Sequence, residues 1–133
     1  MTSETIVAVD RDVDIVEARQ KGRELAARLG FSGGDLAMIA TAISELARNI
    51  IEYADKGEIV LSVTQQGARQ GIIVVARDEG PGIANIEQAM QDGFSTGKSL
   101  GLGLPGAKRL MDEFEIASAS GKGTVVTMKK WLR

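Results

Sequence analysis

A strand-like run, Gly71 to Arg77 (GIIVVAR), apolar from Ile72 to Ala76, stops at the carboxylate of Asp78 and passes at once into Glu-Gly-Pro-Gly. A second glycine cluster, GLGLPG from Gly101 to Gly106, runs straight into a helix-like segment. No other stretch restricts the fold so tightly. Residues 72–76 (IIVVA) are apolar throughout, which predicts a strand at the centre of a sheet, covered on both faces. A carboxylate at the end of such a strand is held rigidly. Glycines on either side of Pro81 let the backbone turn sharply and approach a planar ligand closely. Gly101 and Gly103 precede a helix start, where unpaired amides and the helix dipole favour phosphate. The layout from Arg77 to Gly106 therefore suggests a nucleotide site. It is neither a Walker A loop, since GLGLPG lacks the GK[ST] ending, nor a dinucleotide fingerprint after a first strand.

The rest of the chain supplies the scaffold. Thr5 to Val9 (TIVAV) is β-branched and apolar, and reads as a first strand. Asp12 or Asp14 can cap the following helix, with Glu17 completing a capping box from Asp14. Ile15, Ala18, Gly22, Leu25 and Leu29 form its inward stripe, Gly30 ends it, and Arg11, Arg19, Lys21, Arg23 and Arg28 form a solvated face. Ser32 and Asp35 start a second helix whose stripe is Leu36, Ile39, Ile43, Leu46 and Ile50, closed by Lys56-Gly57. Glu58 to Gln65 and Gly71 to Arg77 read as a strand pair joined by the turn-like QGARQ. Ile86, Ala89 and Met90 suggest a short helix. A longer helix starts at Leu102, tolerates Pro105 in its first turn, and turns Leu110, Met111 and Phe114 inward. EIASAS, GKG and TVVTMKKWLR make a closing hairpin. The expected fold is α+β: a two-layer sandwich with a mixed, mostly antiparallel sheet covered by helices.

Composition narrows the chemistry. With 133 residues the chain suits a single domain, and 44% hydrophobic against 26% charged residues is the profile of a soluble globular fold. A formal net charge of -2 offers no overall electrostatic footprint for nucleic acid or an anionic membrane. No window approaches the roughly 18 apolar residues that span a bilayer, and the N-terminus lacks a signal-peptide pattern, so a cytoplasmic protein is expected. The chain has neither cysteine nor histidine. Disulfides, thiolate sites, phosphohistidine chemistry, Ser-His-Asp catalysis and the usual zinc sites are thereby excluded.

The candidate chemistry lies elsewhere. Glu45 and Asn49 are four residues apart on the second helix and share a face, with Thr41 one turn earlier. A carboxylate and an amide oxygen on adjacent turns can divide two tasks: accepting a proton or orienting a nucleophile, and giving a hard oxygen to Mg²⁺. Such a pair also occurs on plain solvated helix faces. Asp78 can accept a hydrogen bond from the exocyclic amine of adenine, which a guanine carbonyl cannot donate. Ser95, Thr96, Lys98 and Ser99 add donors that could follow phosphates as a loop closes. Taken alone, DEGPG is also an ordinary turn and GLGLPG an ordinary hinge.

In order, Glu45-Leu-Ala-Arg-Asn49, Asp78-Glu-Gly-Pro-Gly82, Gly101-Leu-Gly-Leu-Pro-Gly106 and Gly121-Lys-Gly-Thr124 resemble the asparagine box and the three glycine boxes of the GHKL ATPase/kinase superfamily, the Bergerat ATP-binding fold. The resemblance spans essentially the whole chain. Within the superfamily the short form is similar to the anti-sigma-factor serine kinases, and ISELARNI, DGFSTG, GLPGAKRLMDEF and the terminal KWLR resemble the switch kinases of the bacterial stressosome. That likeness implies ATP and Mg²⁺ as cofactors. It implies Glu45 as general base or orienter of a protein hydroxyl, Asn49 as the Mg²⁺ ligand and Asp78 as the adenine acceptor. Gly80 and Gly82 would shape the base pocket, and Thr124 would lie near the adenine. Residues 93–104 would form an ATP lid, with Ser95, Thr96, Lys98, Ser99, Gly101, Leu102, Gly103 and Leu104 along the nucleotide. Tyr53 departs from the many members with histidine after the asparagine box. The implied partners are STAS-domain proteins carrying an acceptor Ser or Thr, and a downstream effector such as a phosphatase or other signalling enzyme. Two alternatives are an anti-sigma factor that sequesters a sigma subunit, and a binding module without catalysis, for which Glu45 would have no use.

Overall fold

The computed structural model describes residues 4–83, 90 and 103–133. Five strands form one sheet: β1 (Thr5–Val9), β2 (Gly57–Gln66), β3 (Arg69–Asp78), β4 (Glu113–Ser118) and β5 (Thr124–Trp131), in the order β1-β2-β3-β5-β4. All four pairings among them are antiparallel, so the parallel component expected of a mixed sheet is not found among the described residues. The helices are α1 (Asp12–Leu29), α2 (Gly33–Ala54) and α3 (Gly103–Leu110). The two-layer α+β sandwich is as expected.

α2 forms the centre of the helical layer. Ile39, Ile43, Leu46 and Ile50 are completely buried and meet Ile59, Leu61, Ile72, Val74, Val126 and Met128 from the sheet. Burying each large aliphatic side chain contributes about 1.5–3 kcal/mol, so this seam dominates the stability. α1 lies against α2 through Ala18, Gly22 and Ala26. A Cβ on Gly22 would sit 2.1 Å from Ile43 Cδ1. Glycine in a helix costs about 1 kcal/mol relative to alanine, and here the cost permits close helix packing. The five basic residues expected on the outer face of α1 are all exposed.

Several boundaries differ from expectation. The residue before α1 is Arg11, and Asp14 answers from inside the first turn: its Oδ2 accepts the N–H of Asp10 (2.9 Å) and of Arg11 (3.0 Å). Those bonds to the ionised form lower the Asp14 pKa. α2 stops at Ala54 with Asp55 in a positive-φ conformation (φ 70°), while Gly57, expected to end the helix, opens β2. α3 ends at Leu110, so Phe114 belongs to β4 rather than to a longer helix. Among the described residues helices cover one face of the sheet, and the expectation that β3 is covered on both gives way to alternation. Ile72, Val74 and Ala76 are buried while Ile73 and Val75 are half-buried on the opposite face. The short helix expected around Ile86 and Ala89 lies outside the described residues; Met90 packs against the core.

The C-terminal strand is tied down on all sides. Asp112 accepts the backbone N–H of Trp131 (2.7 Å) and a forked pair from Arg133 Nη1 (3.2 Å) and Nη2 (2.9 Å). Arg133 chiefly, with the Trp131 N–H adding to it, holds the Asp112 pKa below its ordinary value against the opposing effect of burial. Trp131 Nε1 donates to Glu113 (2.6 Å) and its ring lies under the Arg69 guanidinium at 4.4 Å. Lys130 Nζ donates to Leu110 O at the end of α3 (3.0 Å), satisfying a terminal helix carbonyl.

Candidate nucleotide and catalytic site

Antiparallel pairing places one residue from every strand in a single row, Val9, Gly57, Asp78, Thr124 and Ser118. Directly paired residues project to the same side of a sheet. Asp78, Thr124 and Ser118 therefore share the helix-covered face with Ala76, Val126 and Ile116, at the end of the sheet where β3 stops. Gly57, beside Asp78, has no side chain to fill the space, and a Cβ there would lie 2.3 Å from Arg77 O and 3.1 Å from Asp78 Cβ.

The backbone after Asp78 is shaped by close approaches that only glycine allows. Gly80 donates its N–H to Asp78 Oδ1 (2.9 Å), closing a local turn, and its Cα abuts Ala54 at the end of α2. Gly82 has φ +77°, and a Cβ on it would fall 1.9 Å from Ala119 O. Gly123, also at φ +77°, would put a Cβ 2.2 Å from Asp78 O. Gly121 N–H donates to Pro81 O. DEGPG and the β4–β5 turn GKG are thus packed backbone to backbone, although some 40 residues separate them in sequence. Thr124 is 6% exposed, and its hydroxyl is 2.8 Å from that of Ser118. Ser118 Oγ also accepts the Ile83 N–H (2.7 Å) and donates to Gly123 O (2.9 Å).

Glu45 lies on α2 and is only 6% exposed, which sets it apart from a solvated helix carboxylate. Arg48 Nη1 donates to its Oε1 at 2.9 Å and more weakly to Oε2 at 3.4 Å. A buried carboxylate without such a partner would be costly. Asn49 is half-buried on the next turn, and Thr41, one turn earlier, is exposed. Gly103 takes φ +60° at the first residue of α3, and Leu104 is buried in the core. What Leu104 can offer a phosphate is its backbone N–H. Ser95, Thr96, Lys98, Ser99, Gly101 and Leu102 lie outside the described residues.

The structure thus joins Asp78, Gly80, Gly82 and Thr124 at one end of the sheet, with Glu45 and Asn49 on α2, whose last residue, Ala54, lies against Gly80. Sequence reasoning missed Arg48 and Ser118. Arg48 was detectable as a cation three residues from Glu45 on a helix; Ser118 becomes visible only through strand pairing.

Residues 8–130 match the histidine kinase-like ATPase domain family. The chain belongs to that family. Among curated members it is 50% identical over 133 residues, all of both chains, to the serine/threonine-protein kinase RsbT of Bacillus subtilis (strain 168). It is 34% identical over 119 residues to the anti-sigma F factor of Caldanaerobacter subterraneus subsp. tengcongensis, covering 86% of this chain and 83% of that one. The catalytic domain of the histidine kinase ThkA, in a nucleotide-free form, superposes with a TM-score of 0.54 at 17% identity, over 98% of this chain and 95% of that one. That last likeness concerns the fold alone. Its relatives place this histidine kinase-like ATPase domain with the serine/threonine kinases and anti-sigma factors, as its short form and the motifs ISELARNI, DGFSTG and GLPGAKRLMDEF imply. Among its described residues no helix is long and apolar enough to cross a membrane.

Proposed function

We propose that this chain is an ATP- and Mg²⁺-dependent protein serine/threonine kinase of a bacterial stress-signalling switch. Its substrate is a hydroxyl of a STAS-domain partner, and it then engages a downstream effector in the cytoplasm. The observation that carries the proposal is the buried Glu45 carboxylate, held by Arg48, one helical turn from Asn49. A module that only bound nucleotide would have no use for a desolvated carboxylate there. Full-length identity of 50% to a serine/threonine kinase supports it independently.

In the proposed reaction Glu45 orients the partner hydroxyl and takes its proton as that oxygen attacks the γ-phosphorus of ATP in line. The bond from the γ-phosphorus to its bridging oxygen breaks, and ADP leaves. Asp78 receives the adenine amine on Oδ2, its Oδ1 being engaged by Gly80. Gly103 and Leu104 offer N–H groups to phosphate at the start of α3. Among the described residues no three acidic, histidine or cysteine side chains gather as a metal cage. A single Asn49 oxygen suits Mg²⁺, which prefers phosphate and water for most of its ligands and would supply charge neutralisation there.

Labelled ATP, Mg²⁺ and candidate STAS proteins, followed by mapping of the modified residue, test the proposal. Label on a Ser or Thr of a STAS protein is expected; no transfer to any STAS protein would overturn it. The 34% identity to anti-sigma F factors supports a second reading, in which the main task is to bind a sigma subunit. Pull-down of a sigma subunit without a STAS protein would favour it.

A further inference from the structure

We infer that Ser118, through Thr124, sets the preference of the base site for adenine over guanine; the inference rests on the adenine role proposed for Asp78. Its basis is a count of protons. Ser118 Oγ has one hydrogen and, among the described residues, three hydrogen-bonding neighbours: Ile83 N at 2.7 Å, Gly123 O at 2.9 Å and Thr124 Oγ1 at 2.8 Å. The Ile83 amide can only donate and the Gly123 carbonyl can only accept. The single Ser118 proton therefore goes to Gly123 O, and the remaining contact is made with Thr124 as donor. This is the one arrangement that satisfies all four groups. It fixes the Thr124 hydroxyl with its proton directed at Ser118, which leaves its oxygen to act only as an acceptor toward any further group.

Thr124 is paired directly with Asp78 in the sheet, on the same face. The end of the sheet then presents two acceptors side by side, the Asp78 carboxylate and the Thr124 hydroxyl, and no donor from either. At the six position adenine carries an amine, which donates, and guanine a carbonyl, which accepts. Two acceptors match the amine and repel the carbonyl. A free threonine hydroxyl would not discriminate, since it rotates to donate or accept as required. Ser118 removes that freedom, and it does so from β4, reached by no local sequence pattern. It acts as a positioning residue, its effect passing through Thr124. The surroundings keep it in place: Gly82 and Gly123 approach the neighbouring backbone too closely for any side chain, which fixes the Ile83 N–H and Gly123 O on either side of the hydroxyl.

The test is calorimetric titration of the full chain with ADP and GDP, before and after Ser118→Ala. The wild type is expected to favour ADP. In Ser118→Ala the ratio of ADP to GDP affinity is expected to fall by about tenfold, the scale of one hydrogen bond turned from repulsive to neutral. Ser118→Thr keeps the hydroxyl and should keep the ratio. Ser118→Cys fills the same space with a weakly bonding thiol, and should lower the ratio even if the alanine variant does not hold its fold. Loss of both nucleotides by the same factor would assign Ser118 a merely structural role and overturn the inference, as would a lowered ratio in Ser118→Thr. A wild type without preference for ADP would instead refute the adenine role of Asp78, a failure visible before any variant is made.

Discussion

Replacing Gly82 by alanine tests the packing of DEGPG on the β4–β5 turn. A Cβ at this position would lie 1.9 Å from Ala119 O, 2.8 Å from Ala119 C and 3.3 Å from Gly123 O, all backbone atoms that no rotamer change can move. Two costs add. The left-handed backbone at φ +77° costs a non-glycine residue about 1–2 kcal/mol. Displacing the turn to admit the methyl costs about 1–3 kcal/mol more, as overpacking does elsewhere. Alanine returns about 0.4–1 kcal/mol by restricting the unfolded chain. The net loss is about 2–4 kcal/mol, which in a domain of this size lowers Tm by roughly 6–16 °C. Gly121→Ala provides the control, because Gly121 has nearly the same φ (+76°) but nothing within 4 Å of the added Cβ. It should lose about 1 kcal/mol or less. Urea and thermal unfolding of the three proteins measure both terms. Equal midpoints for the two variants would refute the close approach.

Arg48→Ala leaves Glu45 without its guanidinium partner and should lower kcat for phosphoryl transfer by about tenfold while ADP affinity stays unchanged; steady-state kinetics with calorimetry separates the two. Asp78→Asn presents an amide donor where the adenine amine needs an acceptor, so ADP binding should weaken by about tenfold or more in the same titration. The Asp112–Arg133 pair has a sign that can be worked out. Asp112 is depressed in the folded state, so its contribution is present above the ordinary carboxylate range near pH 4 and is lost as pH falls through the lower folded value. Arg133→Ala should therefore flatten the acid limb of stability below about pH 4, only slightly because Arg133 is exposed and solvent screens the pair. An unchanged limb in acid unfolding would refute that linkage.

Much of this fold is legible locally. The β-branched TIVAV, the apolar stripe of α2 and the apolar strand ending in Asp78 each appear in the structure where their periodicity places them. Helix ends are less so: Asp55 takes the positive φ that a glycine two residues later advertises, because Gly57 is needed where β2 passes under Arg77 and Asp78. Phe114 continues an apolar helical spacing yet sits on β4, where strand pairing with Met128 outweighs that periodicity. Within the candidate site, Glu45, Asn49 and Asp78 were legible as candidates from residue type and spacing. Their surroundings were not. Thr124 comes beside Asp78 because β5 inserts between β3 and β4, against chain order. Ser118 joins them only through that insertion, and register of this kind is set by the whole sheet rather than by any short stretch.

The claim that the helix α2 carries the chemistry while the end of the sheet holds the base is tested most directly by Glu45→Ala. Transfer of labelled phosphate to a STAS partner and ADP affinity should be measured on the same preparation. The expected result is a fall in transfer of about a hundredfold or more, the usual scale of a lost general base, with ADP affinity within about twofold of wild type. Unchanged transfer in that variant would contradict the account.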